Sequence, residues 1–111
     1  LVFKEAQATA ALLGVSTPVP REAVKTVGGY WQPKYSLPNR RMVQAVQMLA
    51  RLEAVPLDPT YTGKAMAGLI GMVREGRFKP SDQVLFVHTG GLPALFAETE
   101  VLTGRTAVVD A

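Results

Sequence analysis

The sequence has 111 residues, 48% of them hydrophobic and 19% charged, with 12 basic against 9 acidic side chains for a net charge of +3. That is one globular domain's worth of chain, too apolar and too weakly charged to be disordered. With no cysteine and a single histidine, disulfides, thiolate metal sites, a cysteine nucleophile and a multi-histidine metal centre are excluded. No apolar run approaches the roughly 20 residues of a membrane span, and no basic stretch leads into an apolar one as in a signal peptide. The expected setting is cytoplasmic. The basic residues are not clustered with aromatics, which argues against a nucleic-acid partner.

In chain order, Val2 to Leu13 reads as a helix, with Phe3, Ala6, Ala10 and Leu13 on one face and Gly14 placed to stop it. Ser16 to Pro20 is a loop, because two prolines bar helix and ladder alike. Ala23 to Val27 is expected as a short strand. Gly28 to Pro38 is irregular and aromatic, holding Tyr30, Trp31 and Tyr35. Asn39 is placed to cap a helix running to about Glu53, with a stripe of Met42, Ala45, Val46, Leu49 and Leu52. Val55-Pro56-Leu57 is extended. Thr62 is the expected N-cap of a further helix with Met66, Leu69, Ile70 and Val73 on its apolar face, closed by Gly76. Pro80-Ser81-Asp82 is a turn. Val84 to Val87 is four apolar residues in a row, as in a strand covered on both faces. Gly90 and Gly91 break it, a short helix is expected from Pro93 to Ala97, and the tail beyond Thr99 shows no pattern.

Helices alternating with strands predict an α/β fold with parallel pairing, and Val55 to Val87 is a plausible right-handed βαβ unit. In such sheets ligands bind at the carboxyl ends of strands, where Asp58 to Thr62 and His88 to Gly91 fall. Each candidate there also has a plain structural reading. The Thr89-Gly90-Gly91 run suits a backbone that approaches a ligand, or merely a tight turn. Tyr35 and Tyr61 could donate hydrogen bonds to a substrate, or simply pack. His88 reads as a core histidine with satisfied nitrogens. Lys64 reads as a surface lysine in the first helical turn. Arg40-Arg41, Arg74 and Arg77 read as solvated helix surface.

Taken together the segments become specific. Leu57-Asp58-Pro59-Thr60-Tyr61-Thr62-Gly63-Lys64-Ala65-Met66-Ala67-Gly68-Leu69-Ile70 resembles the signature of the D-cysteine desulfhydrase and 1-aminocyclopropane-1-carboxylate deaminase family. So does Val84-Leu85-Phe86-Val87-His88-Thr89-Gly90-Gly91-Leu92-Pro93-Ala94-Leu95-Phe96, and Tyr35-Ser36-Leu37-Pro38-Asn39 is similar to the family's Tyr-Gly-X-Pro segment. The resemblance runs from about Phe3 to Phe96.

It implies a pyridoxal 5′-phosphate enzyme of fold type II, the three-layer parallel-sheet fold of tryptophan synthase β-like enzymes. Residues 1–111 would form the C-terminal portion of its large cofactor-binding domain. The family's cofactor-bearing lysine, its Ser-Asn neighbour and its phosphate loop belong to parts absent here, and Lys64 matches a different family position. The start at Leu1, in helix-like sequence, fits the same expectation of a piece of a longer protein. By the resemblance, Tyr35 and Tyr61 line the substrate side as catalytic residues. Thr62, Thr89 and Gly90 bind the cofactor, no metal is used, and the intact protein is a homodimer acting on a small amino acid.

The family's deaminases carry glutamate where this chain has Thr62, facing the pyridine nitrogen. A carboxylate there holds the nitrogen protonated and strengthens the electron sink, whereas a hydroxyl can bond a neutral nitrogen and leaves a weaker one. β-Elimination needs less from the sink than opening a cyclopropane ring. Thr62 therefore favours a carbon–sulfur lyase that converts D-cysteine, or a related sulfur amino acid, to pyruvate, ammonia and sulfide. The deaminase, an L-cysteate sulfo-lyase, and an inactive piece or binding module stay open as alternatives. Departures from the family lie at Gln32, Lys34, Ser36 and Ala54, where glycine is usual. If Ala54 is left-handed, its Cβ costs about 1 kcal/mol.

Overall fold

A computed structural model describes residues 1–108. Its elements are α1 (Val2–Leu12), a 3-10 turn (Arg21–Ala23), α2 (Arg40–Glu53), α3 (Thr62–Arg74), α4 (Ala94–Ala97) and α5 (Thr99–Leu102).

The helix ends follow their sequence signals. Asn39 Oδ1 accepts the Met42 amide at 2.8 Å and starts α2. Gly14 and Gly76 close α1 and α3 with paired bonds: Gly14 N to Ala11 O and Val15 N to Ala10 O, then Gly76 N to Val73 O and Arg77 N to Met72 O. Ala54, which ends α2, is left-handed at φ 56°, so the cost of a Cβ in that position is incurred.

α2 and α3 make the core. Met42, Val43, Ala45 and Val46 of α2 meet Leu57 and then Met66 and Ala67 of α3, with Leu49, Leu69, Ile70 and Phe86 packed around them. Both expected stripes are therefore used, except at their far ends, where Leu52 and Val73 are 72% and 56% exposed. Helix α1 buries no residue, and the radius of gyration, 16.1 Å, exceeds the ~13 Å of a compact chain this long.

Three expectations are corrected, and a fourth is not met among the described residues. Ala23 to Val27 is no strand: Pro20 O accepts the Ala23 amide and turns the chain as a 3-10 helix. Thr62 is not the N-cap of α3, because the capping acceptor is the Asp58 carboxylate. The tail is not without pattern, since α5 docks on α2 through Gln47 Nε2, which donates to Leu102 O at 2.6 Å. Most consequentially, the described residues contain helices and no strand, so neither the parallel sheet nor the βαβ unit is formed among them. Val84 to Val87 runs without ladder partners, with Leu85 87% and Val87 67% exposed. A strand is a property of a pair: the apolar run specifies burial, but only a neighbouring strand can take its amides and carbonyls.

Candidate active site

Asp58 is the junction of the site. It is fully buried, and its carboxylate accepts four hydrogen bonds. Oδ2 takes the amides of Thr60 and Tyr61 at 2.8 and 2.7 Å. Oδ1 takes the Thr62 amide at 2.7 Å and the Thr62 hydroxyl at 2.6 Å. These amides lead into α3 and include its first, that of Thr62; a helix start has no earlier carbonyls to bond and attracts an anion. Burial alone would raise the Asp58 pKa, but the bonds from Thr62, Tyr61 and Thr60 outweigh it and hold the carboxyl below its ordinary value. Sequence reasoning put Asp58 in a candidate ligand loop but gave its side chain no role. The signal it missed was an aspartate four residues ahead of a helix that lacks any other acidic start.

Gly91 closes over the same carboxylate: a Cβ built there would lie 2.8 Å from Asp58 Cγ. Its φ of +86°, following Gly90 at +97°, is a backbone path that favours glycine at both positions. The turn is pinned by His88, whose Nδ1 accepts the Gly90 amide at 3.1 Å while Nε2 meets Pro56 O at 3.0 Å. Both ring nitrogens of His88 are satisfied, as expected, but the residue is exposed rather than part of the core. Asp58 and His88 thus bring the two loops together, Asp58–Thr62 and His88–Gly91.

Tyr61 projects from the first loop and meets Tyr35 from the aromatic segment. Their hydroxyls are 2.5 Å apart and their rings 5.9 Å between centroids, tilted by 58°. Both remain open, at 55% and 72% exposure. The hydrogen bond to Tyr35 raises the Tyr61 pKa, with smaller contributions from burial and from the Tyr35 and Asp58 charges. A hydrogen-bonded phenol pair spends one proton internally and leaves one to offer outward.

The aromatic segment is held by Lys64, which is not the surface lysine that its position suggested. It is 6% exposed, and Nζ donates to Trp31 O at 2.8 Å and Lys34 O at 2.9 Å. Burial lowers its pKa. Ser36, next to Tyr35, adopts φ 62°, the left-handed geometry that favours glycine.

Of the sequence-predicted site residues, Tyr35 and Tyr61 are joined directly, and Thr62 is tied to Tyr61 through Asp58. Gly90 enters through Gly91, and Thr89 is exposed beside it. Thr62 is 1% exposed, and its hydroxyl proton is directed to Asp58, so it is not a spare donor.

Pyridoxal phosphate requires a lysine, an anion cradle, a wall for its ring and a partner for the ring nitrogen. The Lys64 amine is committed to two carbonyls and does not supply the first. The side-chain-free strip at Gly90-Gly91 and the open tyrosine pair fit one wall for a ring.

Residues 2–90 match the family of pyridoxal-phosphate dependent enzymes. A D-cysteine desulfhydrase of Yersinia pestis (strain Pestoides F) is 45% identical over 91 residues, which is 82% of this chain and 27% of that enzyme. A desulfhydrase of Yersinia pseudotuberculosis serotype O:1b (strain IP 31758) matches equally. Among solved structures, the crystal structure of an ACC deaminase homologue superposes with a TM-score of 0.67 at 31% identity, over 87% of this chain and 28% of that one. The chain thus shares the fold of these enzymes while spanning about a quarter of the length of the relatives it matches.

Proposed function

Because the chain belongs to the pyridoxal-phosphate dependent enzyme family, we propose that it forms one wall of the active site of a carbon–sulfur lyase, acting on D-cysteine or a related sulfur amino acid in the cytoplasm. In this reading it is the C-terminal portion of the large cofactor-binding domain, Val84 to Val87 belongs to that domain's parallel sheet, and the whole enzyme is a homodimer. The reaction takes D-cysteine and water to pyruvate, ammonia and hydrogen sulfide.

The observation that carries the reading is the tyrosine pair, two phenols 2.5 Å apart on an open face. When bound, the cofactor supplies the electron sink that makes the substrate's α-hydrogen acidic. The chain's residues do the rest. The pair offers one outward O–H, placed to hold the substrate carboxylate or to give its proton to the departing sulfur. With its pKa raised by the hydrogen bond to Tyr35, Tyr61 keeps its proton at neutral pH and acts as a donor. Thr89 and Gly90 would border the ring, and Thr62 would face its nitrogen without a charge of its own. An uncharged partner supports the sink less than a carboxylate does, which suits a reaction whose leaving group departs with the electrons. The 45% identity to a D-cysteine desulfhydrase supports the same choice. The deaminase is the second reading, favoured by the likeness to the ACC deaminase homologue.

The test is a chimera in which this chain's aligned 91 residues replace those of the Yersinia pestis desulfhydrase. It is assayed with D-cysteine, L-cysteate and 1-aminocyclopropane-1-carboxylate. Sulfide and pyruvate from D-cysteine, lost in Tyr61→Phe, are expected. Turnover of the cyclopropane substrate in preference to D-cysteine overturns the lyase reading.

A further inference from the structure

We propose that His88 is a positioning residue for the Gly90-Gly91 turn and that it works only as the neutral Nε2–H tautomer, so that a proton taken up at Nδ1 unfastens the turn from the segment that carries Asp58. The inference stands on contacts within this chain and holds whatever substrate the whole enzyme takes.

Each partner of the ring has only one role to offer. The Gly90 amide can only donate, so Nδ1, 3.1 Å from it, presents its lone pair. The Pro56 carbonyl can only accept, so Nε2, 3.0 Å away, carries the proton. Neutral imidazole has one nitrogen of each kind, and these two contacts choose between its tautomers. Imidazolium donates from both nitrogens, which sets an N–H against the Gly90 N–H.

The ring is exposed, so a proton reaches it without any opening of the fold. The fastening also has no substitute. Among the described residues, the bond to Pro56 is the only hydrogen bond from residues 83–91 to anything earlier in the chain. The turn itself is two glycines at φ +97° and +86°, the residues with most conformational freedom to regain once a bond is lost.

Asp58 is the charged group that meets the turn from the opposite loop, beneath Gly91. Its carboxylate is fully buried and already accepts four hydrogen bonds, so it is not open to pair with a charged ring. With its pKa held low it stays ionised while His88 titrates, and Tyr61 in the same loop, its pKa raised, keeps its proton. Apart from His88, residues 83–97 hold no titratable side chain. A transition of the turn in mildly acidic solution therefore belongs to His88.

His88 is the chain's single histidine, so 15N-histidine labelling of the 111-residue chain reports it alone. At neutral pH Nδ1 should resonate as the bare nitrogen and Nε2 as the protonated one. On acidification the Gly90 amide proton should move upfield with the same midpoint as the ring, and the ring's nuclear Overhauser contact to Pro56 should be lost. Two variants divide the fastening without titrating. His88→Asn places an oxygen where Nδ1 stands, keeps an acceptor for the amide two residues on, and should leave the Gly90 amide constant from neutral to mildly acidic pH. His88→Gln reaches toward Pro56 but offers Gly90 no acceptor, so the Gly90 amide should lie at its acid position already at neutral pH. An Nδ1–H tautomer in the wild type, a Gly90 amide that ignores the ring's titration, or a His88→Asn amide that still titrates overturns the proposal.

Discussion

Tyr35 and Tyr61 share a hydrogen bond of 2.5 Å although 26 positions apart, and a lysine ties the segment that leads to Tyr35 to the helix that follows Tyr61. Lys64 fastens the carbonyls of Trp31 and Lys34 to α3, the helix whose start carries Tyr61. The pair is thus a product of two loops fixed to one helix. Tyr35→Phe removes the bond that raises the Tyr61 pKa, so Tyr61 should ionise at lower pH than in the wild type. A tyrosinate absorbance titration of the chain reads this directly, and an unchanged Tyr61 transition would show that the two hydroxyls do not interact.

Asp58 makes the start of α3 sensitive to acid. Its pKa is lowered in the folded state, so its contribution is complete above the unfolded aspartate value and is lost as pH falls through the lower folded one. Asp58→Ala should destabilise by about 2–4 kcal/mol at neutral pH, since it removes a helix cap and leaves buried donors unpaired. The difference between wild type and variant should shrink in acid. Denaturant melts at several pH values measure it, and a gap that does not narrow would remove the carboxylate from this role.

Lys64 provides two further measurements. Its buried ammonium is disfavoured, so the folded pKa lies below the unfolded one and stability should rise with pH across the interval between them. Lys64→Met should abolish that rise and cost about 1–3 kcal/mol, because two carbonyls lose their donor. For the same reason, treating the chain with pyridoxal phosphate and borohydride should label no single lysine stoichiometrically. Specific labelling of Lys64 would mean that its amine is free to react.

Leu85 and Val87 expose apolar side chains on a segment whose backbone has no ladder partner. Such an edge invites association. The 111-residue chain should therefore self-associate, and Leu85→Lys should raise the concentration at which it stays monomeric, read by sedimentation. A sharp monomer for the unaltered chain would contradict this.

What the sequence made legible were the local signals. Asn39, Gly14 and Gly76 mark helix ends because caps need only a few neighbouring residues, and the stripes of α2 and α3 name the core because their faces meet each other. The segments around Tyr35, Tyr61 and Gly90 carried the family resemblance, since motifs lie along the chain. Long-range assignments were not legible. Whether Lys64 is solvated or buried depends on where the carbonyls of Trp31 and Lys34 come to rest, and periodicity is silent on that. The Asp58 carboxylate serves residues within four positions, so its role was in principle readable; the stronger expectation of a Thr62 cap obscured it. The strand expected at Val84 to Val87 differs again: its apolar character is local and legible, but pairing needs a neighbouring strand, and the described residues contain none.

Thr62→Glu in the chimera tests the choice between lyase and deaminase most directly. The substitution places a full negative charge at the ring nitrogen itself. The sink becomes stronger, and the α-proton can leave and return many times before sulfur departs. D-Cysteine turnover should fall, while exchange of the α-hydrogen with solvent should rise relative to product. The measurement is the ratio of deuterium incorporated into recovered substrate to pyruvate formed. Tyr61→Phe is the control: it leaves the sink alone and removes the donor for the leaving sulfur, so it should slow pyruvate formation without accelerating the exchange itself. Full lyase turnover with an unchanged ratio in Thr62→Glu would show that Thr62 does not meet the ring nitrogen, and the preference for a lyase would then rest on sequence identity alone.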